Sequence, residues 1–395
     1  MRVIIPGLNN KANGLPDLPL VIWMILVTLL CGVLAGYDAS ALISGFNQGY
    51  GASIGEFALI LIPSFVLAAA IEQQRIDMSP RVSVGMAPFS AAGMVCPDTA
   101  YAALSPMCLQ RKLPMAFGAF AGFKLLFPAG PLIVAASVAA DTSTTLLLSV
   151  TIFIPVWLTG LLYGRMIEDR ILGQPVHTGA RLQISYSSLC ALLPFLILAI
   201  LLVIGVLFDM RFNVWADFVT NPKGALIVSA AVALAKIPAS DRRPAVDKGV
   251  RRAAELLVII GAASAFSMVV TSVVPVEEIF MGSTSELVTL LTLFLLTAAF
   301  KVLQGSSMSV FAAVGPIAAP IVAAAGISPV LAALAICLGS FIAILPNDSF
   351  YWLVRQDAMP DKSELVVTSA LVAGAVLQAL VGMVLLLALA AFNIF

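Results

Sequence analysis

Charge is what this sequence has least of. Of its 395 residues only 11% are Asp, Glu, Lys or Arg, where a soluble domain carries about 25%. The 21 basic and 21 acidic residues cancel, so no net field draws the chain to nucleic acid. Histidine occurs once, at His177 in a polar segment, which leaves His-based or metal-dependent catalysis almost without raw material. The five cysteines, Cys31, Cys96, Cys108, Cys190 and Cys337, are odd in number, scattered through apolar runs and form no CxxC pair. They read as small core residues rather than a disulfide or metal framework. No cofactor or metal is expected. An enzyme working inside a membrane would need a nucleophile–base pair or metal ligands there. The apolar stretches supply neither, nor paired carboxylates one helical turn apart, so the chain does not read as an enzyme.

Apolar residues are what it has instead. They make up 61% of the chain and mean hydropathy is +1.06, an excess that one aqueous core cannot hide and that must face lipid. Apolar runs recur from Leu18 to Phe395 with no soluble stretch between them. The expectation is an all-α polytopic protein forming a single membrane domain over residues 1–395. A crossing needs about 20 apolar residues. Full crossings are expected near 18–36, 52–71, 113–140, 145–164, 188–208, 223–238, 253–274, 327–353 and 364–392. The first run, Leu18 to Ala35, has 18 residues, longer than a secretory core of about 7–15, so it reads as a helix that stays.

Two further apolar stretches are interrupted. Residues 82–109 break at Cys96-Pro97-Asp98-Thr99, and 287–325 at Gln304-Gly305-Ser306-Ser307. Each predicts a re-entrant hairpin, or a double crossing. Charge supports either form. With the N-terminus in the cytoplasm, 17 Lys and Arg fall inside and two, Arg211 and Lys223, outside, while Lys124 and Lys301 stay in the membrane. Cytoplasmic loops favour Lys and Arg, and a single crossing at either stretch would destroy the bias. The C-terminus then lies outside, as do Asp38, Glu277, Glu278 and Glu286. The basic stretch Ala239 to Arg252 reads as a topology signal in a cytoplasmic loop. The expected location is the cell membrane.

The halves are faintly similar. Glu56-Phe-Ala-Leu-Ile-Leu matches Glu255-Leu-Leu-Val-Ile-Ile, Tyr101-Ala-Ala-Leu-Ser-Pro106 matches Phe311-Ala-Ala-Val-Gly-Pro316, and Phe127-Pro128 matches Leu345-Pro346. The offsets 199, 210 and 218 rise steadily, as in one colinear repeat with small insertions. Repeat one covers about 52–164, repeat two about 253–392, with linking helices over 188–238. The two run in opposite directions through the membrane, so the repeat is inverted, a design common among secondary transporters.

Broken backbone in lipid is tolerated only where it lines a protein cavity. Four interruptions therefore mark one candidate site: Cys96 to Thr99, Phe127 to Pro131, Gln304 to Ser307, and Pro346 to Ser349. Two are hairpin tips and two are breaks within helices. Half-helix N-termini at such breaks present N–H groups and partial positive charge. Asp98, Thr99, Gly130, Gln304, Gly305, Ser306, Ser307, Asn347, Asp348 and Ser349 suit a carboxylate or polyhydroxy solute. Lys124 and Lys301, each three residues before a break, would favour an anion. Intramembrane charges are costly and usually functional, and Asp98 or Asp348 would carry a coupling proton. Sodium is the alternative coupling ion, with a dicarboxylate, hydroxy acid or amino acid as alternative cargo. A passive channel is disfavoured, because opposed hairpins close a site from each side in turn.

At these motifs the sequence resembles the gluconate permease (gluconate:proton symporter) family of the ion transporter superfamily. Lys301-Val-Leu-Gln-Gly-Ser-Ser-Met-Ser-Val310 is similar to the family's segment with a basic residue before a Gln-Gly-Ser tip. Leu345-Pro-Asn-Asp-Ser-Phe-Tyr-Trp-Leu-Val354 is similar to its Asn-Asp-Ser signature. Pro97-Asp98-Thr99 falls where the family has an aspartate in its first hairpin. Ala129 and Phe350 stand where it usually has histidine and glycine. The resemblance implies symport of a small sugar acid with a proton. It also implies a homodimer in which a scaffold dimerises and a transport unit of hairpins and broken helices moves like an elevator.

Overall fold

The computed structural model describes residues 19–73, 80–105, 108, 111–172, 186–208, 210–273 and 285–391. Every regular element among them is helical. The helices are α1 (Leu20–Leu34), α2 (Ala39–Glu72), α3 (Pro80–Gly93), α4 (Pro97–Leu104), α5 (Lys112–Leu125), α6 (Gly130–Ser137), α7 (Thr142–Leu172) and α8 (Tyr186–Leu207). After them come α9 (Val214–Thr220), α10 (Pro222–Lys236), α11 (Ala239–Val273), α12 (Glu286–Gln304), α13 (Ser307–Ala325), α14 (Pro329–Gly339), α15 (Ser349–Ala358) and α16 (Glu364–Ala391). His177, Glu277 and Glu278 lie outside the described residues.

The order of elements repeats. A long helix (α2), a hairpin (α3, α4), a broken helix (α5, α6) and a long helix (α7) recur as α11, α12 with α13, α14 with α15, and α16. Their local sequences account for the breaks. At the first tip Val95 takes positive φ and Cys96 caps α4 with Pro97 as its first residue, where a missing N–H costs nothing. At the second tip Gly305 takes φ 76° and ψ −56°, a region strained for any residue with a Cβ, and Ser306 caps α13. The two broken helices part over 126–129 and 340–348.

Among the described residues five helical stretches are long and apolar enough to cross a membrane: Lys112–Ser137, Thr142–Arg170, Glu286–Gln304, Ser307–Ala325 and Glu364–Ala391. A sixth is the pair α9 and α10 if counted together, although it bends by 79°. At 1.5 Å per residue the limbs of the second hairpin each reach about 28 Å, near a full bilayer core of about 30 Å. Those of the first reach only about 21 and 12 Å. The first expected crossing is shorter than its apolar run suggests, since α1 spans only 15 residues. The basic stretch 239–252 is no loop. It forms the opening turns of α11, because a run rich in Arg, Ala and Lys is a good helix former.

Packing divides the helices into two groups. In one, α2 and α11 lie along each other, with α1 on α11, α10 on α2, and α8 and α9 on α10. In the other, α3 packs on α5, α5 on α7, α7 on α16, α12 on α14, and α13 and α14 on α6. They meet where α13 packs on α11 and where α2 touches α3 and α6. Without a hydrophobic drive between helices in lipid, small residues let backbones close up. At Gly122 a Cβ would lie 2.0 Å from the Pro88 carbonyl oxygen of α3, and at Gly49 one would lie 2.8 Å from Ala265 Cα of α11.

Candidate functional site

The two hairpin tips and the second break come together through named side chains. Lys301, in the last turn of α12, forms an ion pair of 2.6 Å with Asp348 Oδ2. The lysine side chain is 1% exposed and the aspartate 8%. Lys301 Nζ also donates to the Gly305 carbonyl, so the ammonium holds the C-terminal end of its own helix, where partial negative charge collects. Asp348 has a second duty, because its Oδ1 accepts from the Phe350 N–H at 3.1 Å and caps α15. Asn347 donates through Nδ2 to the Val302 and Leu303 carbonyls at 2.8 and 3.4 Å, pairing carbonyls that the end of α12 leaves without helical partners. Its Oδ1 is buried and has no hydrogen-bond partner among the described residues. A Cβ on Gly305 would sit 2.3 Å from the Asn347 carbonyl oxygen, so only glycine lets the tip meet the break so closely.

Asp98 joins the first hairpin to this assembly. It lies in the first turn of α4, half-buried, and accepts a hydrogen bond from the Ser349 hydroxyl at the start of α15. It is also within electrostatic reach of Asp348, Lys301 and Arg252. The N-termini of α4 and α15 therefore converge, with that of α13 brought in through the Gly305–Asn347 approach. Ser306 and Ser349 are exposed, Asp98 and Gln304 half-buried, and Thr99 and Ser307 buried. The Thr99 N–H is directed at Cys96 Sγ, 3.5 Å away.

Lys124 and Gly130 sit differently. Lys124 is fully buried. Its Nζ donates to the Ser340 carbonyl, at the C-terminus of α14, where a cation opposes the helix dipole. It lies 3.7 Å from the centre of the Phe120 ring and 4.9 Å from that of Phe341. Among the described residues it has no carboxylate ion-pair partner. Aromatic faces worth about 2 kcal/mol when desolvated stand in for one. Gly130 packs against Phe311, which a Cβ would meet at 2.7 Å, and against the Lys124 carbonyl oxygen. The lysine–aspartate pair thus forms within the second half.

Phe120 lies between the two buried lysines, and sequence reasoning missed it. Lys301 Nζ is 5.8 Å from its ring centre, so both buried ammonium groups face one ring, which in turn stacks on Phe350 at 5.9 Å. Its position four residues before Lys124 puts the two on one helix face, a spacing that could have drawn notice. Ser340 carried no signal, since it acts through its backbone.

Comparison with known proteins gives this geometry its context. Residues 98–393 match the family model described as GntP family permease. The chain belongs to the GntP permease family. This GntP-family chain is 25% identical to the high-affinity gluconate transporter of Escherichia coli (strain K12), over 88% of the chain and 87% of that protein. Its fold is similar to that in the crystal structure of the Alcanivorax borkumensis YdaH transporter, described as having an unusual topology. There the TM-score is 0.68 with 18% identity, covering 95% of this chain and 98% of that one. The protein is a multi-pass membrane transporter, not an enzyme. A small anion fits the family.

Proposed function

We propose that this permease carries a small hydroxycarboxylate, gluconate or a related sugar acid, in symport with a proton. The observation that carries the reading is the Asp98–Ser349 contact. It joins the first hairpin tip to the second break, beside three helix N-termini and the Lys301–Asp348 pair. The N–H groups and the serine hydroxyls of that meeting point suit a carboxylate and its hydroxyls. Asp348 is committed twice, to Lys301 and to the α15 cap. Asp98 accepts only from Ser349 among the described hydrogen bonds, which favours Asp98 as the group that takes the proton.

The elevator reading rests on the division into two helix groups, with α1, α2 and α8 to α11 as the stationary scaffold that dimerises. The cell membrane is its place, with the N-terminus in the cytoplasm and the C-terminus outside. Sodium coupling to another organic anion is the second reading, favoured by the unpartnered Asn347 Oδ1, an oxygen able to face a cation.

The test is thermal stabilisation of the purified protein by sugar acids, hydroxy acids, dicarboxylates and amino acids, at low and neutral pH, with and without sodium. A sugar-acid hit that is stronger at low pH, loses that pH dependence but not the hit itself in Asp98→Asn, and is lost in Ser349→Ala, supports the reading. Hits only among neutral solutes, or a hit that keeps its pH dependence in Asp98→Asn and its strength in Ser349→Ala, contradict it.

A further inference from the structure

A second polar cluster lies away from the hairpin tips, at the other end of α4 and α15. Asp357, in the last turn of α15, accepts from the Tyr101 hydroxyl at 2.9 Å and from Lys112 Nζ at 2.6 Å. Lys112 Nζ also donates to the Asp357 carbonyl at 3.2 Å. Behind it the Lys112 N–H, at the start of α5, donates to Glu168 Oε1 at 3.1 Å, and Arg111 pairs with Asp169 at 2.7 Å. Tyr101 is fully buried, while the Lys112 and Asp357 side chains are 23% and 29% exposed. Four helices, α4, α5, α7 and α15, are tied at this one place.

What the cluster does follows from the length of α4. Eight residues make a rod of about 12 Å, too short to hold its own register. Asp98 and Tyr101 are three apart and share a face. That face meets α15 in sequence: Asp98 with Ser349, the Tyr101 ring edge-on to Phe350 at 5.8 Å, and the Tyr101 hydroxyl with Asp357. Among the described hydrogen bonds and ion pairs, neither Tyr101 nor Asp357 reaches Ser349, Lys301 or Asp348.

We propose that Tyr101 and Asp357 are positioning residues for Asp98. They fix the register of α4 against α15, so that the Asp98 carboxylate meets Ser349, while Lys112 holds Asp357 in place. Releasing the far end of α4 loosens its near end, one turn away.

Cys96 is a built-in reporter. It caps α4 beside Asp98 and is half-buried. Tyr101→Phe keeps the ring and its contact with Phe350 and removes only the hydroxyl. Two readouts apply to it: alkylation of Cys96 by a maleimide, followed by mass spectrometry of its peptide in the full-length protein, and the KM for gluconate uptake. Cys96 alkylation is expected to quicken by about threefold to tenfold, the scale of one hydrogen bond. Asp357→Asn should do the same, and the double variant should add little to either single one. KM should rise by a similar factor while Vmax stays within about twofold, a split that general loss of folded protein would not produce. Unchanged Cys96 alkylation and KM in Tyr101→Phe would overturn the proposal. So would a fall in Vmax and melting temperature alone. The KM arm rests on the proposed transport of gluconate. The alkylation arm needs no substrate, so a failure of that function and a failure of this inference can be told apart.

Discussion

Lys301 and Asp348 pair the second hairpin tip with the start of α15, and in the proposed symport they also belong to the site. Removing one partner of a buried pair strands the other charge, at a cost of about 3–5 kcal/mol, whereas replacing both by apolar residues is often neutral. Lys301→Met alone is therefore expected to lower the melting temperature sharply. Lys301→Met with Asp348→Leu should recover most of that loss in the same melting assay and still give no uptake, because the tip and break would no longer carry the charges the site uses. Equal melting of the single and double variants would show that the pair is not the cause. The sequence made both residues conspicuous, since charge is rare here and costly in lipid. It did not make their pairing conspicuous: Lys301 lies 47 residues from Asp348, and no local rule links them. Lys124 was as conspicuous, but its partners are a backbone carbonyl and two rings, which composition cannot announce.

At the scale of elements, the hairpin tip depends on Gly305. Its φ of 76° and its approach to Asn347 exclude a Cβ twice over. Strained backbone of this kind costs about 1–3 kcal/mol in a residue other than glycine, before any clash with the Asn347 carbonyl. Gly305→Ala should fold less stably and lose uptake, while Gly326→Ala, also at positive φ but with nothing within 4 Å of the added Cβ, should lose stability alone. Uptake and melting measured side by side separate the two. Breaks at Gly305 and Pro128 were legible because glycine and proline punctuate apolar runs. The long break over 340–348 was less so, because Ser340 to Ala343 reads as continuing apolar helix and ends only as the chain nears Pro346. The helix over 239–252 was missed for a related reason: charge density was read as loop, although Arg, Lys and Ala favour helix once α2 is there to pack against.

For the whole molecule, the repeat could be read from three weak matches with rising offsets, and the order of elements follows it. The grouping of helices could not, since contacts such as α7 on α16 join distant parts of the chain. Where the two groups touch, Ala262 and Ala263 of α11 and Ala313 of α13 are buried in one cluster with Met24 of α1, and Tyr50 of α2, Phe300 of α12 and Ile317 of α13 pack against it. If the elevator reading holds, Ala263→Cys with Ala313→Cys should arrest uptake on oxidative cross-linking and recover it on reduction. Full-rate uptake by the cross-linked protein would mean that α13 does not move against α11.

In the proposed symport a proton on Asp98 accompanies the anion. The most direct measurement is uptake of labelled gluconate into proteoliposomes with an imposed inward proton gradient and no sodium, in the parent chain and in Asp98→Asn. Proton symport through Asp98 should give transient accumulation above equilibrium in the parent and none in Asp98→Asn, which should still exchange gluconate across the membrane at equal pH. Accumulation driven by sodium and not by protons, or gradient-driven accumulation that survives Asp98→Asn, would contradict it.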